Sequence, residues 1–143
     1  MNYNELIQLY FERTTALQNY WNLYVVAVGG LLAFSSLRKQ PALVTTLIVS
    51  LLFGLFAYEN YDAIQIATGQ RLAVHESITK FDAGAAGPTA KPVRDVLEPT
   101  LTPASHASVR TTHLTSDILV IAGLWAMEFR RRRMSGAASV SEK

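Results

Sequence analysis

The chain has 143 residues, of which 50% are hydrophobic and 17% are charged, and its net charge is +2. This charged fraction is low for a soluble domain, in which about 25% of residues usually carry charge. Because the chain contains no cysteine, disulfide frameworks, thiolate metal sites and cysteine nucleophiles are excluded.

The first apolar run extends from Tyr20 to Leu37 and contains no charged residue. Eighteen residues of helix cross about 30 Å of hydrocarbon, so this run predicts a membrane span over 20–37. The polar residues before it lack a basic n-region, so we expect no cleavable signal peptide. Their apolar positions recur near helical spacing, which predicts one long helix that includes both the tail and the span.

The second apolar run, Ala42 to Tyr58, is also uncharged and predicts a span over 42–58. Only a short connection that contains Pro41 separates it from the first run, so the two helices should be antiparallel neighbours. The helical pattern continues past Tyr58 towards Phe81, with Gly69 as a point where the helix could break.

The third apolar run is shorter and predicts a span over 112–129 only if Asp117 and Glu128 lie inside it. Glu128 is one helical turn from Arg131 and Arg132, with which it can pair. The preceding segment, about 59–111, is expected to be extracytoplasmic. It contains a proline-rich linker over 83–104, which we expect to be irregular. Ser105 is a candidate N-cap for the helix that follows.

Basic residues are concentrated next to the predicted spans. With three spans, the first loop and the C-terminus lie on one face, which the positive-inside rule assigns to the cytoplasm. The N-terminus would then lie outside, and the expected location is the plasma (inner) membrane. The predicted inner-face anchors are Arg38, Lys39, Arg130, Arg131, Arg132 and Arg133.

These elements predict an all-α membrane protein with a single membrane domain over 1–134. At least two of the three transmembrane helices should extend beyond the bilayer as a small extracytoplasmic helical bundle. Residues 135–143 are small and polar and are expected to form a disordered cytoplasmic tail.

Polar side chains near the outer boundary of the spans predict a hydrogen-bonded layer. Asp117 is central to it, because carboxylates inside a membrane are costly and often functional. Two interpretations are open: a hydrogen-bonded interface with a structural role, and a site that responds to protons or ions. Its predicted members are Asn19, Asn22, Tyr58, Glu59, His113 and Asp117.

Small residues recur at four-residue spacing in the spans and predict close helix packing. The packing could join helices of one chain or form a seam between copies. The predicted positions are Gly29, Ala33, Thr46, Ser50, Gly54, Ala122 and Ala126.

No catalytic triad, phosphate-binding loop or paired-carboxylate site stands out, so we expect no enzymatic activity and no cofactor. His106 and His113 are about 10 Å apart along a helix, too far to share one ion, so no metal is expected. The arginine run adjoins an apolar helix and lacks interleaved aromatic residues. It therefore indicates anchoring and attraction to anionic lipid headgroups, and no nucleic-acid binding.

The leading hypothesis is a non-enzymatic accessory or interaction protein whose extracytoplasmic segment contacts a protein partner. The alternative is a self-assembling pore or membrane-perturbing effector. Three spans, an outside N-terminus, a cytoplasmic C-terminus and a basic tail resemble the layout of class I phage holins. This resemblance covers topology alone, and the long outer segment departs from it.

Overall fold

The computed structural model describes residues 2–81 and 90–141, and these are all-helical, without strands. Helix α1 comprises Tyr3–Leu37, α2 comprises Leu43–Thr79, and α4 comprises His106–Ser141. Between α2 and α4 lie the short helix α3, Ala90–Leu97, and a 3₁₀ turn, Glu98–Thr100. The prediction of an all-α chain with long helices is confirmed.

Local capping explains where two of the long helices begin. The Asn2 side chain accepts a hydrogen bond from the backbone N–H of Glu5 at 2.9 Å, and the Glu5 carboxylate accepts one from the Asn2 N–H at 2.8 Å. This reciprocal pair is a capping box. At the start of α4, Ser105 Oγ accepts a bond from the Ser108 N–H at 3.2 Å, as the sequence predicts.

The linker predicted to be irregular over 83–104 is helical in part, which corrects that prediction. Pro92 lies in the first turn of α3, where the missing N–H costs little. Arg94 then donates to the carbonyl oxygens of Phe81 at 2.6 Å and Thr79 at 3.0 Å, so it caps the end of α2. Residues 83–89 of the predicted linker lie outside the described residues.

The tail predicted to be disordered over 135–143 also differs, because α4 continues to Ser141. Ala137 and Ala138 favour helix and no proline follows them, so nothing in the sequence stops the helix after the arginines. Residues 142 and 143 lie outside the described residues.

The chain divides into two compact units. Unit 1 comprises Met1–Trp21 and Asp62–Arg110, and unit 2 comprises Asn22–Tyr61 and Thr111–Lys143. Unit 1 is built on two apolar clusters, in which side chains of α1 meet side chains of α2 and later segments. The first cluster buries Tyr3, Leu6, Tyr10, Ile78 and Leu101. The second buries Leu17, Ile64, Ala67 and Val109.

Buried positions along α2 recur every seven residues. Such a repeat is the pattern of slightly underwound helices that pack with a left-handed twist. Several of these core positions are polar, which in coiled coils fixes the register at some cost in stability. The two series are Thr46, Phe53, Asn60 and Ala67, and Ala57, Ile64, Arg71 and Ile78.

Two helices, α1 and α2, contain an 18-residue window long and apolar enough to cross a membrane. Only 11% of the α1 window and 28% of the α2 window is buried, unlike the core helix of a soluble protein. Among the described residues, α4 falls short by the same measure. Length and composition therefore support two of the three predicted spans.

Helix α2 passes through Gly69 without a break. A Cβ atom added there would meet the His106 ring at 3.5 Å, an ordinary van der Waals distance. We expect Gly69→Ala to stabilise the protein by up to about 1 kcal/mol, because alanine favours helix more than glycine does. Thermal unfolding in detergent should show a higher midpoint, whereas Gly69→Leu should lower it because the longer side chain would collide with His106.

Candidate functional site

A buried polar network links the three long helices within unit 2. Tyr24 Oη, on α1, donates a hydrogen bond to Asp117 Oδ1 at 2.8 Å. Asp117 Oδ2, on α4, lies 2.8 Å from His113 Nδ1 one turn earlier. His113 Nε2 lies 3.3 Å from Asn60 Oδ1, on α2. The network thus joins one side chain from α1, one from α2 and two from α4.

His113 lies at the centre of the network and is fully buried. Its ring contacts those of Tyr24 and Tyr61, with centroids 4.6 Å and 5.4 Å away. An ionised carboxylate only accepts hydrogen bonds, so His113 Nδ1 carries the proton shared with Asp117. The Asn60 amide can accept a bond from a protonated ring or, turned over, donate one to a neutral ring. Asn60 can therefore bond to His113 Nε2 in either orientation of its amide.

A groove of about 210 Å³ adjoins the network on the surface of unit 2. The Asp117 side chain is 16% exposed and lines this groove together with Tyr58 and Tyr61. Apolar side chains from α2 and α4 form the remaining walls. Of the four network residues, Asp117 is the one that lines this groove.

The structure brings together some members of the predicted polar layer. His113 and Asp117 bond directly, and Tyr58 lies in the groove beside Asp117. Asn22 and Glu59 are exposed on unit 2, and Asn19 is exposed on unit 1. Sequence reasoning missed Tyr24 and Asn60. The heptad spacing from Leu17 to Tyr24 on α1, and from Phe53 to Asn60 on α2, was the available signal.

A second cluster surrounds Glu128, whose side chain is fully buried in unit 2. Thr46 Oγ1 donates a hydrogen bond to it at 3.1 Å. The guanidinium groups of Arg131 and Arg132 lie at 3.3 Å and 3.4 Å, and that of Arg38 at 3.6 Å. One carboxylate therefore meets three arginines, from the connection after α1 and from α4.

Arg38 and Arg131 also satisfy carbonyl groups where the α1–α2 connection turns. Arg38 donates to Thr46 Oγ1 and to the Ala42 carbonyl oxygen, both at 3.1 Å. Arg131 donates to the Ser35 carbonyl oxygen, at the end of α1, at 2.6 Å. Together these bonds hold the end of α1, the start of α2 and the arginine run of α4 in one arrangement.

The predicted anchors thus fall into two groups. Arg38, Arg131 and Arg132 converge on Glu128. Lys39 is exposed, and Arg130 and Arg133 line a separate groove on α4.

The predicted packing residues also divide. Thr46 is buried against Glu128, and the Ser50 hydroxyl is buried. Gly54 lines the groove beside Asp117. The remaining four small residues are exposed in the single chain, and packing between copies stays a prediction for them. They are Gly29, Ala33, Ala122 and Ala126.

No group of three or more metal-ligating side chains is found among the described residues. Comparison with protein-family models, with curated proteins and with solved structures finds no match. Function is therefore inferred from the chain's own residues.

The Tyr24 hydroxyl offers a direct measure of the network. Tyr24→Phe removes the bond to Asp117 and should lower the free energy of unfolding by about 1 to 2 kcal/mol, since bonds to charged groups contribute more than neutral ones. Tyr58→Phe is the matched control, because Tyr58 is 69% exposed and should leave stability unchanged. Equal thermal midpoints for the two variants would contradict a role for Tyr24 in the network.

Proposed function

We propose that the chain is a multi-pass membrane protein that is anchored by unit 2 and contacts a protein partner through unit 1. One observation carries this proposal: each of the three long helices exposes large apolar side chains in unit 2. Such extensive exposed apolar surface is unusual in soluble proteins and marks an interaction with lipid or protein. Exposed representatives are Val25 and Val26 on α1, Leu51 and Leu55 on α2, and Ile118 and Leu119 on α4.

The buried charges of α4 support its role as the third span. Asp117 and Glu128 lower its mean hydropathy, but both contact other side chains of unit 2. The side chains that α4 exposes in the same stretch are apolar, including Ile118, Leu119 and Phe129. A membrane helix meets lipid only with its outward face, so inward-facing carboxylates are compatible with a span.

The Glu128 cluster supports the proposed orientation. Arg38 follows the first proposed span and Arg131 follows the third, yet both reach the same carboxylate. The two basic groups therefore share one end of unit 2. The positive-inside rule assigns that end to the cytoplasm, which leaves the N-terminus outside.

Unit 1 has the features of a water-exposed contact module. Its apolar side chains form an internal core, and its exposed helix surfaces are mainly polar. The exceptions include Val93 and Val96 on α3, which are 52% and 75% exposed. We assign the partner contact to this helix and propose that the protein acts as a non-enzymatic accessory subunit.

A topology map tests the membrane part of the proposal. Reporter fusions after residue 40 and after residue 143 should report the cytoplasm, and a fusion after residue 90 should report the opposite side. Opposite locations for the fusions at 40 and 143 would overturn the three-span arrangement.

Photo-crosslinking from Val96 tests the contact. The probe should capture one defined protein, and Val93→Asp should abolish capture. Glu59→Gln, at an exposed position of unit 2, should not affect it. Recovery of this chain alone would contradict an accessory role.

Self-assembly is the second candidate, favoured by the outward position of Gly29 and Ala33 on α1 and of Ala122 and Ala126 on α4. Small residues let membrane helices approach closely. Native mass measurement in detergent should then show oligomers that Gly29→Leu disperses, and expression should cause dye leakage. Monomers and intact membranes would exclude this alternative.

A further inference from the structure

The four consecutive arginines of α4 have two different environments. Arg131 and Arg132 bond to Glu128. Arg130 and Arg133 lie three residues apart on the same face of the helix, and neither takes part in an ion pair found among the described residues. Two cationic groups are thus directed to one surface, and no carboxylate among residues 2–81 and 90–141 pairs with them.

That surface is a groove of about 350 Å³ with an apolar lining. Ala126, Phe129 and Met134 form it together with the two arginines. Phe129 is 52% exposed and Met134 is 63% exposed. The site therefore combines two guanidinium groups with an apolar surface. Earlier on the same helix, α4 exposes further apolar side chains, Ile118 and Leu119.

We propose that this groove binds an anionic phospholipid, with its phosphate between Arg130 and Arg133 and an acyl chain along Phe129 and Ala126. Guanidinium groups match phosphate oxygens with paired hydrogen bonds. A soluble phosphate would not use the apolar lining, whereas a lipid uses both parts of the site. This inference rests on the proposed function, because it requires unit 2 to lie in a bilayer.

The contrast with Lys39 distinguishes a site from general attraction. Lys39 is exposed and belongs to the same proposed membrane face, but it does not line the groove. Each basic residue near an anionic surface contributes about a fivefold gain in binding. If the groove is a site, Arg130 and Arg133 should account for lipid preference and Lys39 should not.

Trp125 provides a local reporter. Its ring lies 5.8 Å from that of Phe129, and the chain has only one other tryptophan, Trp21. The full chain carrying Trp21→Phe is reconstituted in phosphatidylcholine vesicles with increasing phosphatidylglycerol, one of the two lipids being brominated. The quenching of Trp125 by each lipid then gives the relative occupancy at the groove.

We expect brominated phosphatidylglycerol to quench Trp125 at a lower mole fraction than brominated phosphatidylcholine does. Arg130→Gln and Arg133→Gln should each reduce this preference about fivefold, and Lys39→Gln should retain it. Equal quenching by both lipids, or equal loss in all three variants, would overturn the site.

Two further arms separate the alternatives. Excess inorganic phosphate should not displace the brominated anionic lipid, and displacement would show that the site recognises free phosphate instead. Flotation of the vesicles reports separately on the proposed function. Protein that fails to float contradicts membrane insertion, whereas protein that floats without lipid preference contradicts the lipid site alone.

Discussion

Replacing Glu128 with leucine should lower the free energy of unfolding by about 3 kcal/mol in detergent micelles. Removing one partner of a buried ion pair leaves the other charge without compensation, which costs about 3–5 kcal/mol. The lower figure applies here because Arg132 is 46% exposed and can turn to solvent. Arg38 and Arg131 are 16% and 11% exposed, and they would keep their charge without a carboxylate.

Glu76→Gln is the matched control for this substitution. The hydrogen bond from Lys80 holds the pKa of Glu76 below its usual range, yet both side chains are exposed. Surface pairs contribute little to stability, so the control should unfold at the wild-type temperature. A Glu128→Leu variant as stable as wild type would show that the arginines do not depend on this carboxylate.

The His113–Asp117 pair should show strong energetic coupling. Asp117→Asn and His113→Gln are each expected to cost about 2 kcal/mol, because each weakens a buried bond to a charged group. The double variant should lose less unfolding free energy than the two single variants lose together, by at least about 1 kcal/mol. Contacting residues share the energy that each substitution removes. Thermal or denaturant unfolding of the four proteins in detergent measures this coupling.

Glu59→Gln combined with His113→Gln provides the comparison. Glu59 is exposed on α2, so its substitution should add to that of His113 without coupling. If the losses of unfolding free energy from the Asp117 and His113 substitutions are also additive, the bonded network is contradicted. Coupling of Glu59 to His113 would instead restore the polar layer in its predicted form.

The position of a residue along a helix could be predicted from the sequence, but its direction could not. Runs of uncharged residues placed the long helices well, and α1 and α2 do contain the two apolar windows. The polar layer is predicted from the position of each residue along its helix, which follows from the rise per residue. Asn22 and Glu59 lie near the predicted positions along their helices yet are exposed, whereas Tyr24 and Asn60 contact His113.

The Glu128 cluster shows the same limit. Its pairing with Arg131 and Arg132 follows from helical spacing and was predicted. Its bonds to Thr46 and Arg38 depend on tertiary packing, and no local pattern specifies them. The linker prediction was wrong because it counted prolines without their positions. Prolines in the first turn of a helix, as at the start of α3 and in the 3₁₀ turn, are compatible with helix.

In the proposed three-span arrangement, the Glu128 cluster also implies an order of biogenesis. The α1–α2 hairpin is synthesised first, and it already carries Arg38 and Thr46. Helix α4 is synthesised later, and its Glu128 carboxylate then bonds to Arg38 and Thr46. Because α4 is less apolar than α1 and α2, we expect its integration at the translocon to require the completed hairpin. The first two helices would then act as an intramolecular insertion partner for the last.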